Sequence, residues 1–146
     1  MDAIVLAGGY ATRMWPITRN RPKMLLPVGD TTVIDKTLAQ LDDNDDVEDV
    51  YISTNERFAA DFENYVDEQG YEKPQLSVED TSDEDEKFGV VGALAQLIDR
   101  EGLDDDLLII AGDNMVGFDI EDFVGCFEDK ESPVLAASDV GDRERA

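Results

Sequence analysis

Two adjacent glycines, an arginine and a lysine fall close together near the start of this chain, in the stretch IVLAGGYATRMWPITRNRPKMLLPV that begins at Ile4. Gly8 and Gly9 let the backbone turn sharply with its N–H groups turned toward an anion. Arg13 offers phosphate oxygens a planar fork, and Lys23 offers a point charge. Ahead of the glycines, Ile4, Val5 and Leu6 form a short apolar run that reads as a buried strand. Strand, glycine turn and two cations in one unit describe a phosphate-binding loop. It is neither of the two commonest kinds, since both GxxxxGK[ST] and GxGxxG are missing.

A carboxylate joins these cations from far along the chain. Asp113 follows the apolar run LLIIAG, and an acid at the end of a buried strand is well placed to hold a hard cation through oxygen. On its own, Gly112-Asp113-Asn114 reads more readily as a turn than as a metal site. Other chemistries are closed off by composition. With no histidine and a single cysteine, Cys126, the chain has no zinc site, no histidine-based triad and no internal disulfide. Cys126 lies in an apolar helical stretch and is expected in the core. The acidic clusters at 42–49, 80–86 and 104–106 lack the spacing and central glycine of a calcium loop, so they read as solvated faces.

The elements that must position these groups alternate. Strands are expected at 2–6, 49–54, 75–78, 107–111 and 133–138, and helices at 32–41, 56–69, 90–100 and 120–130. Val33, Ile34, Leu38 and Leu41 mark the core face of the first helix, and Phe58, Phe62, Tyr65 and Val66 that of the second. Leu94, Leu97 and Ile98 mark the third, with Gly70 and Gly102 as helix ends. This order predicts an α/β, Rossmann-like, open and mostly parallel sheet with helices on both faces. Ligands in such a fold sit outside the C-terminal ends of the strands. The Gly8-Gly9 loop and Asp113 both follow strands, so the same edge of the sheet should carry both.

At 146 residues and 42% hydrophobic, the chain can bury one core, so residues 1–146 are expected to form a single domain. Its 36 acidic and 12 basic residues give a formal net charge of −24. That excludes a generic nucleic-acid surface and argues against anionic membranes as partners. Self-repulsion on this scale is screened only at high ionic strength, which suggests a salt-loving source. There is no long apolar run, and the first strand begins almost at Met1, so a cytoplasmic protein without a leader is the expectation.

The loop also resembles a family signature. Sugar-1-phosphate nucleotidyltransferases carry GGxGTRxxPxTxxxPKxLxPV, and Gly8, Gly9, Thr12, Arg13, Pro16, Thr18, Pro22, Lys23, Leu25, Pro27 and Val28 fall on it in register. The look is closest to glucose-1-phosphate thymidylyltransferase-like members, although uridylyl- and guanylyltransferases share the loop. The resemblance implies Mg²⁺ as cofactor, with a sugar 1-phosphate attacking the α-phosphate of a nucleoside triphosphate, dTTP or UTP being favoured. It assigns Arg13 to the departing phosphates, Lys23 to the α-phosphate and incoming sugar phosphate, and Asp113 to the metal. Leu6, Ala7, Gly8, Gly9 and Thr12 would hold the nucleotide. One departure is Ala11, which replaces a glycine and puts a Cβ where positive φ is needed, at a cost of roughly 1 kcal/mol or more.

In the same family the base meets a Gln or Glu after a strand and a Gly before a helix. Glu79 and Gly89 take those places if 81–86 is an insertion, and Glu86 is a rival to Glu79. A carboxylate accepts from thymine or uracil N3–H and also from guanine N1–H and N2–H, which leaves the base open. Residues 139–146 resemble the family's Val-x-Asp-Pro-Glu-Arg segment, and the downstream sugar-binding Glu and Lys and second metal-binding Asp have no counterpart here. The chain is therefore expected to carry the nucleotide half, with apolar surface that favours self-association into a homo-oligomer. A non-catalytic nucleotide-sensing or assembly module of the same ancestry is the alternative.

Overall fold

Four parallel strands carry the architecture of the computed structural model, which describes residues 1–79, 89–130 and 132–137. They are β1 (Asp2–Leu6), β4 (Val50–Asn55), β5 (Pro74–Glu79) and β6 (Leu107–Ala111), in the order β5-β4-β1-β6. β1 lies in the middle because its residues are apolar on both sides. Ala3, Ile4 and Val5 are all inaccessible to solvent, which suits a strand covered on both faces. Register runs Ala3 to Val50 on one side and Asp2 to Leu107 on the other.

Pleat sorts the side chains into two cores. Ala3, Val5, Val50 and Ile52 pack with Ile34, Leu38 and Leu41 of α1 (Asp35–Asp42) and its lead-in, with Phe58, Phe62 and Val66 at α2 (Ala59–Gln69), and with Ile120 and Val124 of α4 (Ile120–Lys130). Ile4 and Tyr51 face the other way, against Leu94, Leu97 and Ile98 of α3 (Gly89–Glu101). Helices thus lie on both faces, as expected, though unequally. With only α3 on its side among the described helices, Ile109 in the edge strand β6 stays 45% exposed.

Differences from the expected boundaries have local causes. Residues 32–34 do not begin a helix, because Thr31–Thr32 (β3) pairs antiparallel with Pro27–Val28 (β2) around Gly29, whose φ is 65°. α2 starts at Ala59 rather than at residue 56, since the Asn55 side chain accepts the Phe58 N–H and turns the chain first. The strand expected at 133–138 does not form over residues 133–137: no ladder takes them in, Pro133 lacks a donor, and Leu135 is 88% exposed. Cys126 is half-buried rather than fully in the core. The acidic stretch 80–86, Glu86 within it, and the segment 139–146 lie outside the described residues.

Asp35 ties the ribbon to the helices. Its Oδ2 accepts from the Thr31 hydroxyl at 2.5 Å, and its Oδ1 accepts from the Tyr65 and Tyr71 hydroxyls at 2.5 and 2.7 Å. Thr32 donates to the Tyr65 oxygen at 2.9 Å. One carboxylate at the start of α1 therefore holds β3, α2 and the turn leading to β5.

Candidate functional site

The strand order changes direction between β1 and β6, and in a sheet of this kind the ligand crevice lies at that point, outside the C-terminal ends of the strands. Gly112 keeps the two strands close beyond their last paired residues. Its N–H donates to the Leu6 carbonyl at 2.9 Å, and a Cβ at Gly112 would sit 3.0 Å from that same oxygen. Leu6 and Ala7 thus open directly onto the residues that precede Asp113.

Lys23 and Asp113 meet at this crevice. Lys23 Nζ lies 3.0 Å from Asp113 Oδ2, a pair separated by ninety residues and left half-exposed. Lys23 is delivered by a 3-10 turn, Lys23–Leu25, whose Met24 and Leu25 are buried while the Ile34 N–H donates to the Met24 carbonyl at 3.1 Å. Such an exposed pair adds little stability. Its significance lies in holding a cation and a carboxylate side by side where a phosphate chain could reach both.

The glycine loop is fastened from beneath. Asn55, wholly buried at the end of β4, donates from Nδ2 to the Gly8 carbonyl at 3.0 Å. Ala11 adopts φ 46° and ψ 45°, the left-handed conformation that its replacement of glycine was expected to strain. Its carbonyl accepts from the Thr18 hydroxyl at 2.8 Å and the Met14 N–H at 2.9 Å, and these bonds hold the loop in that shape. Thr12 and Arg13 follow in a 3-10 turn, Thr12–Met14, with Arg13 exposed. Gly9 has open space where a Cβ would be.

Glu79 reaches the loop from β5. Its Oε1 accepts from the Ser53 hydroxyl at 3.0 Å, and a Cβ on Gly8 would come within 2.7 Å of the same atom. A side chain at Gly8 would therefore have to displace the Glu79 carboxylate. Gly89, at the start of α3, has φ 71° and is exposed.

Charge favours an anion here in spite of the acidic whole. Four of the chain's 12 basic residues, Arg13, Arg19, Arg21 and Lys23, fall in this one loop. Arg19 also lies 5.9 Å over the Trp15 ring, while Arg57 donates to the Arg19 carbonyl, so the loop's far side is braced. No group of three or more metal-ligating side chains occurs among the described residues. Asp113 fits a magnesium ion as one carboxylate ligand, the remainder coming from phosphate oxygens and water, as that ion prefers.

Sequence reasoning missed Asn55 and Ser53. The signal was present in Ser53-Thr54-Asn55, a polar run ending an apolar strand, but only the sheet register shows these side chains turned toward Gly8 and Glu79.

Comparison with known proteins follows this geometry. A protein of Sulfolobus acidocaldarius named as a mannose-1-phosphate guanyltransferase is 33% identical over 99% of this chain. The bifunctional protein GlmU of Methanococcus vannielii is 27% identical over 85% of it. Among solved structures, one named as a glucose-1-phosphate thymidylyltransferase from Bacillus anthracis superposes with a TM-score of 0.74 at 29% identity, covering 90% of this chain and 51% of that one. The chain spans 39% of the Sulfolobus relative and 27% of the Methanococcus one. The family model described as nucleotidyl transferase matches residues 2–146. By that match over nearly all its length, this chain belongs to the nucleotidyl transferase family.

Proposed function

We propose that the chain is the nucleotide-binding portion of a sugar-1-phosphate nucleotidyltransferase, a single domain that binds a nucleoside triphosphate for transfer of its nucleotidyl group to a sugar 1-phosphate. The observation that carries this reading is the Lys23–Asp113 pair, 3.0 Å apart, at the crevice beside the Gly8-Gly9 loop. A sugar phosphate oxygen attacking the α-phosphate forms a new P–O bond as the bond to the departing pyrophosphate breaks. The attacking dianion is already nucleophilic, so no protein nucleophile is needed, and the residues serve to position and neutralise. Mg²⁺, when bound, would supply Lewis-acid stabilisation of the phosphate oxygens.

Lys23 and Asp113 must part for this. Asp113 would hold the magnesium ion through its carboxylate, and Lys23 would meet the α-phosphate and incoming sugar phosphate. Arg13 takes the β,γ-phosphates with its fork, and Gly8, Gly9 and Thr12 meet the nucleotide with their backbone groups. The expectation of dTTP or UTP comes from the loop signature, whereas the relatives' names include a guanyltransferase and a thymidylyltransferase. Since the loop handles phosphates rather than bases, base choice belongs to Glu79 and Gly89.

Calorimetric titration in multimolar KCl with Mg²⁺, against GTP, dTTP, UTP, CTP and ATP in turn, tests the reading. At least one triphosphate should bind, and Arg13→Ala should weaken it about tenfold to hundredfold, the worth of a charge-assisted phosphate contact. Lys23→Ala should lose pyrophosphate release with a hexose 1-phosphate wherever the parent protein shows it, with melting unchanged. A folded sample that binds no triphosphate would refute the proposal.

A further inference from the structure

The peptide plane between Gly8 and Gly9 has no Cβ on either side, so it can turn over at little steric cost. Which way it faces decides whether an anion meets an N–H or a carbonyl oxygen. The plane is held from the buried side. Asn55 is fully inaccessible to solvent, and its Nδ2 donates to the Gly8 carbonyl at 3.0 Å. Its Oδ1 accepts the Phe58 N–H at 3.2 Å, so the amide cannot turn end for end without losing both bonds. Asn55 is the last residue of β4, in register with Glu79 of β5, which fixes the backbone that carries it.

Peptide planarity carries this hold across to the next residue. The Gly8–Gly9 bond is trans, so the Gly8 carbonyl and the Gly9 N–H point in opposite directions. A carbonyl turned onto Asn55 therefore turns the Gly9 N–H away from the buried amide. Gly9 is only partly buried, and among the described residues its N–H has no hydrogen-bond partner. A backbone donor held in one direction and left unpaired, in the loop that carries Arg13 and Lys23, suits an anion.

Resting on the nucleotidyltransferase reading, we infer that Asn55 is a positioning residue, one that holds the Gly8–Gly9 peptide with its N–H presented to the phosphate chain. Asn55 acts through the peptide and touches no substrate. An amide is the group this task needs, because one end must donate to a carbonyl while the other accepts from Phe58. A carboxylate of the same shape would accept at both ends. It would keep the Phe58 bond, repel the Gly8 carbonyl and attract the Gly9 N–H. The plane would then turn over, and an anion would face a carbonyl oxygen in place of a donor.

The experiment follows the Gly9 amide by NMR in the isotope-labelled 146-residue chain, titrated with inorganic tripolyphosphate under the same salt and Mg²⁺. A pH of about 8 keeps an introduced aspartate above the usual carboxyl range. In the parent, the Gly9 N–H resonance should move downfield as the anion binds. Asn55→Asp should weaken tripolyphosphate about tenfold to hundredfold, the worth of a hydrogen bond to a charged group, and abolish the Gly9 shift. Asn55→Ala frees the plane without adding a charge, and should weaken binding about threefold to tenfold with a smaller shift. Thermal melts report folding separately, and if Asn55→Asp does not fold, the parent and Asn55→Ala decide. A lowered midpoint in Asn55→Ala with affinity and Gly9 shift as in the parent would show a purely structural residue and overturn the inference. Arg13-dependent binding with no Gly9 shift in the parent would overturn it too, while leaving the nucleotide-binding reading intact. A folded parent that binds neither tripolyphosphate nor any nucleoside triphosphate would overturn both readings together.

Discussion

Ala11 shows how a single side chain can report on a loop's task. An alanine held at φ 46° sits in a region that costs a non-glycine residue about 1–2 kcal/mol, and the Thr18 and Met14 bonds to its carbonyl help keep it there. Ala11→Gly should remove that strain, offset in part by the greater freedom of glycine in the unfolded chain, for a net gain of about 0.5–1 kcal/mol. A thermal melt of the variant should show a midpoint a few degrees higher. An unchanged or lower midpoint would mean that the loop relaxes around alanine without cost. The strain was legible in the sequence, because the signature places a glycine at this position. The bonds that sustain it were not, since Thr18 is seven residues away and nothing in its type announces the partner.

Among the elements, the strands that hold the site were the most legible. β1 and β6 are found at the bounds their apolar runs predict, because a short run between turn residues has little else to become. The β2–β3 ribbon was not legible: Thr32 reads as the start of the helical pattern that follows it, and the competing signal was the Gly29 turn. Of the site, the Gly8-Gly9 loop and Asp113 could be placed at one edge by topology alone, whereas the Lys23–Asp113 contact and Glu79 against Gly8 needed the folded chain.

The ribbon's anchor makes a prediction at the same scale. Burial would raise the Asp35 pKa, but hydrogen bonds from Thr31, Tyr65 and Tyr71 outweigh it and hold the carboxyl below its usual 3.8. The Tyr65 hydroxyl is pushed up to about 12 by burial and by its bond to Asp35, and Tyr71 is raised as well. A tyrosine raised in the folded state favours folding below its unfolded pKa near 10, and that contribution is lost as pH climbs toward the folded value. The Asp35 contribution runs the other way, present above about pH 4 and lost as acid protonates the folded carboxyl. Melting temperature should therefore fall between about pH 10 and 12 in the parent, and fall less steeply in Tyr65→Phe, which costs about 1–2 kcal/mol at neutral pH through the lost bond. Parallel slopes in the two proteins would show that the network does not control the alkaline limb.

At the scale of the whole molecule, charge rather than packing sets the working conditions. A formal charge of −24 is opposed by few internal pairs: the ion pairs among the described residues are Lys23–Asp113, Arg100–Glu101 and the N-terminus with Glu48. Most of the acids among the described residues are thus left to repel one another across the surface, and Asp104, Asp105 and Asp106 are exposed together on the loop before β6. The same field opposes a triphosphate, which makes the basic loop at 13–23 a local exception that must work against the rest of the molecule. Salt relieves both effects, since the Debye length falls from about 10 Å at 0.1 M to about 3 Å at 1 M. The unfolding midpoint should accordingly rise steeply with KCl up to about 1 M and level off beyond it, the screening limit having been reached. Replacing Asp104, Asp105 and Asp106 together by asparagine should flatten the rise without altering the plateau by more than about 1 kcal/mol, as exposed positions ordinarily allow. A midpoint that keeps climbing at the same slope above 1 M, in parent and variant alike, would assign the effect to general salting-out instead of to the chain's own charge.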